Sequence, residues 1–310
     1  MCSKVSKSNV VVICGPTATG KTAVAIDLAG TFDAEIVGAD SMQVYRHMDI
    51  GTAKPTPGEQ AAVPHHMVDI IDPDEYLDAR QYSRIAGEKI AALHARGVTP
   101  FIVGGTGFYI KALLNGLFED GPSDSGIRQR LKEEAEDRDS SFLHSRLKKC
   151  DPESAGRLHP NDTYRIIRAL EVYELTGKPI SGYHREHRFA EQPFNVLKIG
   201  LHLNRDILYD RINLRVDAMI AVGFLDEVKG LLDKGYGGDL KSMQSIGYRH
   251  MVGYVNGEYP WDEMMRTLKR DTRRYAKRQR TWFKADATIQ WSEPERLNDM
   301  RRKIKKFLQP

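Results

Sequence analysis

The feature that most constrains the fold of this 310-residue chain is a phosphate-binding motif close to its N-terminus. Residues 15–22 read GPTATGKT and match GxxxxGK[ST] in full. The motif follows the apolar run 10–14 and precedes a segment typical of a helix, which is the context that it requires. Its glycines let backbone N–H groups approach phosphate oxygens, and the helix N-terminus adds a partial positive charge. The chain is therefore predicted to bind a diphosphate group, whose identity the motif leaves open.

Two side chains of this motif have predicted roles of their own. Lys21 is expected to neutralise a phosphoryl oxygen, and the hydroxyl of Thr22 is the candidate ligand for Mg²⁺. The complete predicted diphosphate site is Gly15, Pro16, Thr17, Ala18, Thr19, Gly20, Lys21 and Thr22.

Hydrophobic periodicity predicts an α/β fold with a parallel sheet flanked by helices. Strands are predicted at 10–14, 35–37, 100–103, 196–203 and 287–291. Helices are predicted at 21–29, 78–96, 163–176, 207–221, 225–234 and 261–284. Prolines at 55, 57 and 64 predict loops in the stretch after the second strand.

The character of the sequence changes near Asn115. Residues 117–193 are rich in charge, with widely spaced apolar residues that indicate short amphipathic helices. We predict a helical insertion domain there, and a discontinuous sheet domain made of residues 1–116 and 194–310.

Composition is that of an ordinary soluble protein, with 41% hydrophobic and 28% charged residues. No apolar run approaches the length of a membrane helix, and residues 1–9 lack a signal-peptide core, so a cytoplasmic location is expected. Cys2, Cys14 and Cys150 form no CxxC pair, which argues against a disulfide framework and a structural zinc site.

Basic residues concentrate at the C-terminal end. From Arg266 onward the chain has 15 basic and 5 acidic residues, whereas the rest has 31 and 37. Six cations recur every three or four residues and would lie on one face of a helix: Arg266, Arg270, Arg273, Lys277, Arg280 and Lys284. This cationic seam is typical of binding to a nucleic-acid backbone, with Arg273 and Lys277 as candidate contacts. The alternative is a solvated surface helix without a ligand.

A second face of the same helix carries larger apolar side chains. Met264, Leu268, Tyr275 and Trp282 keep a helical spacing, and this face is predicted to pack on the sheet.

A carboxylate is predicted opposite the phosphate loop. Asp40 follows the second strand, and parallel strands present their carboxyl ends at one edge of the sheet. There it would hold Mg²⁺ in a nucleotide hydrolase or accept a proton in a transferase. The alternative is a helix cap or a turn. His65 and His66 lack a third ligand at metal-binding spacing, so hydrogen bonding within a loop is the preferred role.

The motifs, taken in order, resemble the tRNA dimethylallyltransferase family, the adenosine-37 isopentenyltransferases. The segments that carry the resemblance are 15–22, 40–46, 51–55, 64–66, 104–113, 159–162, 168–172, 244–248 and 275–279. The resemblance covers about residues 10–283, and the chain resembles the bacterial type because no zinc-finger extension follows Pro310.

The resemblance implies both a fold and an activity. The fold would be a P-loop NTPase-like core whose helical insertion grips the anticodon stem-loop of tRNA. The activity would be transfer of a dimethylallyl group from dimethylallyl diphosphate to N6 of adenosine 37, with Mg²⁺ as cofactor. The expected partners are thus tRNA and dimethylallyl diphosphate, with no membrane and no DNA.

The resemblance also implies residue roles. Asp40 would be the general base at the adenine N6, Thr106 would place a hydroxyl at the same centre, and Arg215 would stabilise the diphosphate together with Lys21 and Thr22. The implied tRNA contacts are Ser41, Met42, Gln43, Arg128, Tyr164, Arg165, Ile166, Ile167, Arg168, Gln244, Ser245, Ile246, Gly247, Tyr248 and Arg249.

Two other functions remain open at this point. A small-molecule or nucleotide kinase would use the same loop for ATP, and a P-loop RNA-binding protein would need no catalytic group. A GTPase is disfavoured, because the sequence has no NKxD motif for guanine.

Overall fold

A computed structural model describes residues 7–116, 124–138, 140–187 and 193–309. The chain divides into two compact units. The first consists of Met1–Leu114 with Pro193–Pro310, and the second of Asn115–Gln192.

The first unit is built on a parallel sheet. Its strands within the described residues are β1 (Ser8–Cys14), β2 (Ala34–Gly38), β3 (His65–His66), β4 (Thr99–Gly104), β5 (Phe194–Leu201) and β6 (Gln290–Ser292). Their order across the sheet is β3-β2-β4-β1-β5-β6. Every pair is parallel, so all carboxyl ends lie at one edge. The predicted α/β class is confirmed.

Helices cover the sheet and form the second unit. Those of the described residues are α1 (Lys21–Phe32), α2 (Pro57–Ala62), α3 (Ala79–Ala95), α4 (Gly107–Asn115), α5 (Ser125–Arg138), α6 (Ser140–Cys150), α7 (Pro152–Arg157), α8 (Thr163–Thr176), α9 (Ile180–His187), α10 (Arg205–Ala221), α11 (Phe224–Asp233), α12 (Tyr248–Val255), α13 (Trp261–Lys284) and α14 (Leu297–Leu308).

The prediction of loops after the second strand was wrong at two places. The helix α2 begins with Pro57 in its first turn, where proline costs no hydrogen bond, and Thr56 and Glu59 form a capping box. The two-residue strand β3 pairs with Ile36 and Val37 of β2. A strand this short has no periodicity from which it can be predicted.

Two separate hydrophobic cores hold the two units. In the first, the fully buried Val11 and Ile13 of β1 pack with α1 and with Met300 and Ile304 of α14. In the second, Leu131 and Ile166 are among the fully buried residues contributed by α5, α6 and α8. No helix in the described ranges is long and apolar enough to cross a membrane.

Candidate active site

The phosphate loop connects β1 to α1 at the carboxyl edge of the sheet. Gly15 begins it with a φ of 144°, and a Cβ there would lie 2.5 Å from the carbonyl oxygen of Leu201, so only glycine fits. The Thr19 hydroxyl and the Lys21 ammonium both donate to the carbonyl of Pro16, at 2.9 and 2.8 Å. These bonds fix the loop from within, with Thr22 in the first turn of α1.

A glutamine from far along the chain closes this loop. The side-chain oxygen of Gln279, on α13, accepts the Thr17 N–H at 2.8 Å, and its Nε2 donates to the carbonyl of Gly105 at 2.9 Å. Gln279 is buried. One amide thus joins the phosphate loop to the segment that follows β4.

Asp40 lies just beyond β2 with one carboxylate oxygen held and the other available. Its Oδ1 accepts the backbone N–H groups of Met42 and Gln43, at 2.8 and 3.4 Å. Among the described residues none donates to Oδ2. Asp40 therefore forms a turn, which is the alternative role predicted for it from the sequence. Its second oxygen remains able to accept a proton.

Thr106 lies next to the Asp40 turn. Its Oγ1 accepts the Ser41 N–H at 3.0 Å and donates to the Ser41 hydroxyl at 3.3 Å. Its own N–H donates to the carbonyl of Ala39 at 3.0 Å. The structure therefore brings Thr106 to the segment that carries Asp40, although 65 residues separate Thr106 from Ser41.

The charges of Asp40, Lys21 and Arg215 act on one another. Burial lowers the pKa of Lys21 to about 8; the Asp40 carboxylate opposes this shift, and the Arg215 guanidinium adds to it. Burial also lowers the pKa of Arg215, again against the effect of Asp40. Two cations and one carboxylate therefore share a poorly solvated site, which is suited to a polyanion.

These groups line one large cavity of about 1080 Å³. Its wall includes the side chains of Lys21, Thr22, Asp40 and Arg215, together with Tyr275 from α13. Burial raises the pKa of the Tyr275 hydroxyl, and the nearby charge of Asp40 raises it further, so this group stays protonated.

Several predicted tRNA contacts line the same cavity. They are Ser41, Met42, Gln43, Gln244, Ser245, Ile246, Gly247, Tyr248 and Arg249. Tyr248 is fully buried, whereas Gln244 and Arg249 are exposed. His65 also lines the cavity; its Nδ1 bonds the carbonyl of Val63 at 2.7 Å, whereas His66 bonds Glu35 at 2.6 Å. Both histidines therefore form hydrogen bonds, as expected, but they do so from the strand β3 and not from a loop.

The second unit has a smaller cavity, of about 180 Å³, at the start of α8. Arg128, Tyr164, Ile167 and Arg168 line it, and Tyr164 is 76% exposed. The buried Glu171 accepts from Arg128 at 3.0 Å and from Arg168 at 2.8 Å, which fixes both guanidinium groups.

The two remaining predicted contacts of this unit have different surroundings. Arg165 is exposed and pairs with Asp162 at 2.6 Å. Ile166 is fully buried in the hydrophobic core of the second unit.

The cationic seam of α13 divides into two halves. Arg266 and Arg270 pair with acidic neighbours on their own helix, and Arg273 donates to Asn213 of α10 at 2.7 Å. Among the described residues, Lys277, Arg280 and Lys284 have no acidic partner. On the other face Met264 and Leu268 are buried, but α13 packs mainly against α10 and α12 and not on the sheet as predicted, and Trp282 is 43% exposed.

Sequence reasoning missed Gln279 and Tyr275 as parts of the site. Both belong to α13, and their spacing of four residues places them on one face of that helix. That spacing is a signal that the sequence does contain, although the cationic residues Lys277 and Arg278 lie between the two positions.

The sheet is parallel, and a phosphate loop at the carboxyl end of its central strand faces the Asp40 carboxylate. This arrangement defines the P-loop NTPase-like class of proteins. Two family models narrow this class: "IPP transferase" matches residues 43–286 and "Isopentenyl transferase" matches residues 8–72. The chain belongs to the tRNA dimethylallyltransferase family.

Individual relatives agree over nearly the whole chain. The tRNA dimethylallyltransferase of Desulfosudis oleivorans is 55% identical over 98% of this chain and 97% of its own length. The crystal structure of the tRNA isopentenylpyrophosphate transferase of Bacillus halodurans, 41% identical, matches with a TM-score of 0.74 over 97% of both chains. A eukaryotic dimethylallyltransferase described as acting on tRNA, 29% identical, matches with a TM-score of 0.80 over 96% of this chain and 77% of its own.

Proposed function

We propose that this protein transfers a dimethylallyl group from dimethylallyl diphosphate to N6 of adenosine 37 in tRNA and releases diphosphate. The observation that carries the proposal is the single cavity in which the phosphate loop, Arg215 and the free oxygen of Asp40 converge. The names of the relatives favour prenyl transfer over a kinase, which would need a phosphoryl acceptor in place of the adenine.

The site divides the reaction between two ends. The carbon–oxygen bond of the allylic diphosphate breaks, and the phosphate loop with Lys21 and Arg215 stabilises the charge of the departing diphosphate. The N6 amine, a weak nucleophile because its lone pair is delocalised into the ring, forms the new bond to that carbon. Asp40 accepts the proton that N6 loses. The target base leaves its stack, at low cost in a single-stranded loop.

Mg²⁺ suits this chain as a cofactor. Thr22 offers a hydroxyl at the position from which phosphate loops hold this ion, and Mg²⁺ is usually bound by one or two protein oxygens, substrate phosphates and water. Within the described part of the chain no cluster of three or more His, Cys, Asp or Glu forms a metal site. When bound, Mg²⁺ would supply further positive charge to the leaving diphosphate.

We further propose that the second unit, with Tyr164 and Arg165 at the start of α8, binds the anticodon stem-loop. Tyr164 offers an exposed ring on which a base can stack, and Arg165 offers a cation. Ile166, which lies in the core, would act by holding the start of α8 and not by touching RNA.

The direct test incubates the protein with tRNA, labelled dimethylallyl diphosphate and Mg²⁺ and measures label in RNA. Asp40→Asn keeps the shape of the turn and removes the base, so we expect the single-turnover rate at saturating tRNA to fall by about 10²- to 10⁴-fold. Mass analysis of RNA digests locates the modified nucleotide. If the wild type puts no label into RNA, the proposed function is refuted. If D40N reacts at nearly the wild-type rate, only the role of Asp40 as the base is refuted.

A further inference from the structure

One carboxylate outside the reacting centre joins two walls of the cavity. The Oε2 of Glu227, on α11, accepts the backbone N–H groups of Asp49 and Ile50 at 2.8 and 2.7 Å. Its Oε1 accepts the N–H of Gly51 at 3.1 Å and the hydroxyl of Tyr248 at 2.6 Å. Four donors from two segments, both of which line the cavity, thus converge on one half-buried side chain.

The loop that Glu227 holds does not maintain its shape by regular secondary structure. His47 and Ala53 on either side of it have positive φ values of 65° and 47°, which cost free energy in residues with a side chain. At Gly51 the backbone lies so close to α11 that a Cβ would be 2.2 Å from the Phe224 ring. Three successive N–H groups pointing at one carboxylate therefore fix a strained, closely packed turn.

The held loop in turn supports the turn that carries Asp40. The side-chain amide of Gln43 donates to the carbonyls of Thr52 and Ala53, at 3.3 and 3.0 Å. The N–H of Gln43 reaches Asp40 at 3.4 Å. Glu227 thus holds residues 49–51, and Gln43 is bonded to the next two residues of the same loop. A second connection leads from Glu227 through the Tyr248 hydroxyl to the segment 244–249.

We propose that Glu227 is a positioning residue for tRNA: it touches no substrate, and it sets the placement of Gln43 and of residues 244–249 against the RNA. The inference rests on the proposed function. It also assigns Tyr248, which is fully buried, an indirect part in tRNA binding through its hydroxyl and not through a contact with RNA. The diphosphate end of the cavity has its own supports, in the internal bonds of the phosphate loop and in Gln279.

The test compares the KM values for the two substrates in Glu227→Gln. Glutamine keeps the size of the side chain, but its NH₂ group cannot accept from the N–H groups that face it. We expect the KM for tRNA to rise about tenfold, as for weakening hydrogen bonds to one charged group, and the KM for dimethylallyl diphosphate to stay within about twofold. Tyr248→Phe removes one of the four bonds and keeps the ring, so its increase should be smaller.

A matched control is Glu35→Gln. Glu35, in the first half of β2, is likewise a carboxylate with several partners, since it is bound to His66 and Arg96. Neither Glu35 nor these partners line the cavity. E35Q should lower the melting temperature without changing the KM for tRNA. If E227Q and Y248F lower the melting temperature and leave the KM for tRNA unchanged, or if both KM values rise together, the positioning role is overturned.

The two proposals fail in different ways. Absence of transfer by the wild type would refute the proposed function, and the affinity of the variants for tRNA by filter binding would then still decide whether Glu227 positions RNA. If the wild-type protein is active and both variants bind tRNA as tightly as it does, only the role of Glu227 is refuted. Should E227Q not fold, Y248F decides alone.

Discussion

Lys21 is charged over a narrower pH range than an ordinary lysine. Its ammonium lies among protein groups that replace water, and burial lowers its pKa to about 8 from an ordinary value near 10.5. The protonated form, which is the form able to neutralise a phosphoryl oxygen, therefore dominates below pH 8 and is lost above it.

This loss predicts a pH dependence of substrate capture. The ratio kcat/KM for dimethylallyl diphosphate, measured at saturating tRNA, should fall above about pH 8, approaching tenfold for each pH unit. In Lys21→Arg the guanidinium stays protonated, so the decline should move to higher pH even if the plateau is lower. The same pH profile in both proteins would show that another group causes the decline.

At the scale of elements, α13 performs two tasks with two faces. One face brings Tyr275 and Gln279 to the cavity, and the other displays Lys277 and Arg280, which have no acidic partner in the described ranges. Arg273 is different, because it is bound to Asn213 and lies 5.9 Å from the centre of the Tyr209 ring on α10. We therefore expect the C-terminal half of the seam to reach RNA phosphates.

Lys277→Ala should flatten the dependence of log affinity for tRNA on log salt concentration by roughly 0.7 to 0.9, the value for one phosphate contact. Affinity should fall about equally for all substrate tRNAs, because phosphates carry no sequence information. Lys305→Ala on α14 removes another exposed cation and is the control. If K277A, K305A and the wild type show the same salt dependence of tRNA affinity, the seam is not part of the binding site. This result is the one expected for a solvated surface helix without a ligand.

The elements were predictable where a periodic pattern is long enough to be unambiguous. The helices Thr163–Thr176 and Trp261–Lys284 have the predicted bounds, and β1 extends the predicted strand by two residues. The strand β3 and the helix α2 were missed because they span two and six residues. The contact between Gln279 and Thr17 could not be predicted from the sequence for another reason. It links positions 262 residues apart and depends on the tertiary packing of α13.

At the scale of the whole molecule, the proposed binding surfaces are distributed over both compact units. The diphosphate site lies wholly within the first unit, and the exposed ring of Tyr164 belongs to the second. A change in the phosphate loop should therefore affect dimethylallyl diphosphate alone, and a change at Tyr164 should affect tRNA alone.

A reciprocal pair of variants tests this separation. Lys21→Ala should raise the KM for dimethylallyl diphosphate and leave tRNA affinity unchanged, because the loop binds diphosphate. Tyr164→Ala should weaken tRNA binding by about tenfold or more, since stacking on one base contributes roughly 1–3 kcal/mol, and leave dimethylallyl diphosphate unaffected. Tyr164→Phe keeps the ring and should bind tRNA normally. If K21A keeps its fold but loses affinity for tRNA, the proposed separation of the diphosphate site from the tRNA-binding surface is wrong.

The bond between Thr17 and Gln279 also sets an order in time. The ribosome makes the phosphate loop before α13, and the amide that closes the loop is made 262 residues after Thr17. At about 5–20 residues per second, roughly 13 to 52 seconds pass between the two. Throughout that interval the growing chain carries its phosphate loop without the closing amide. Synthesis itself thus delays completion of the site until α13 has been made.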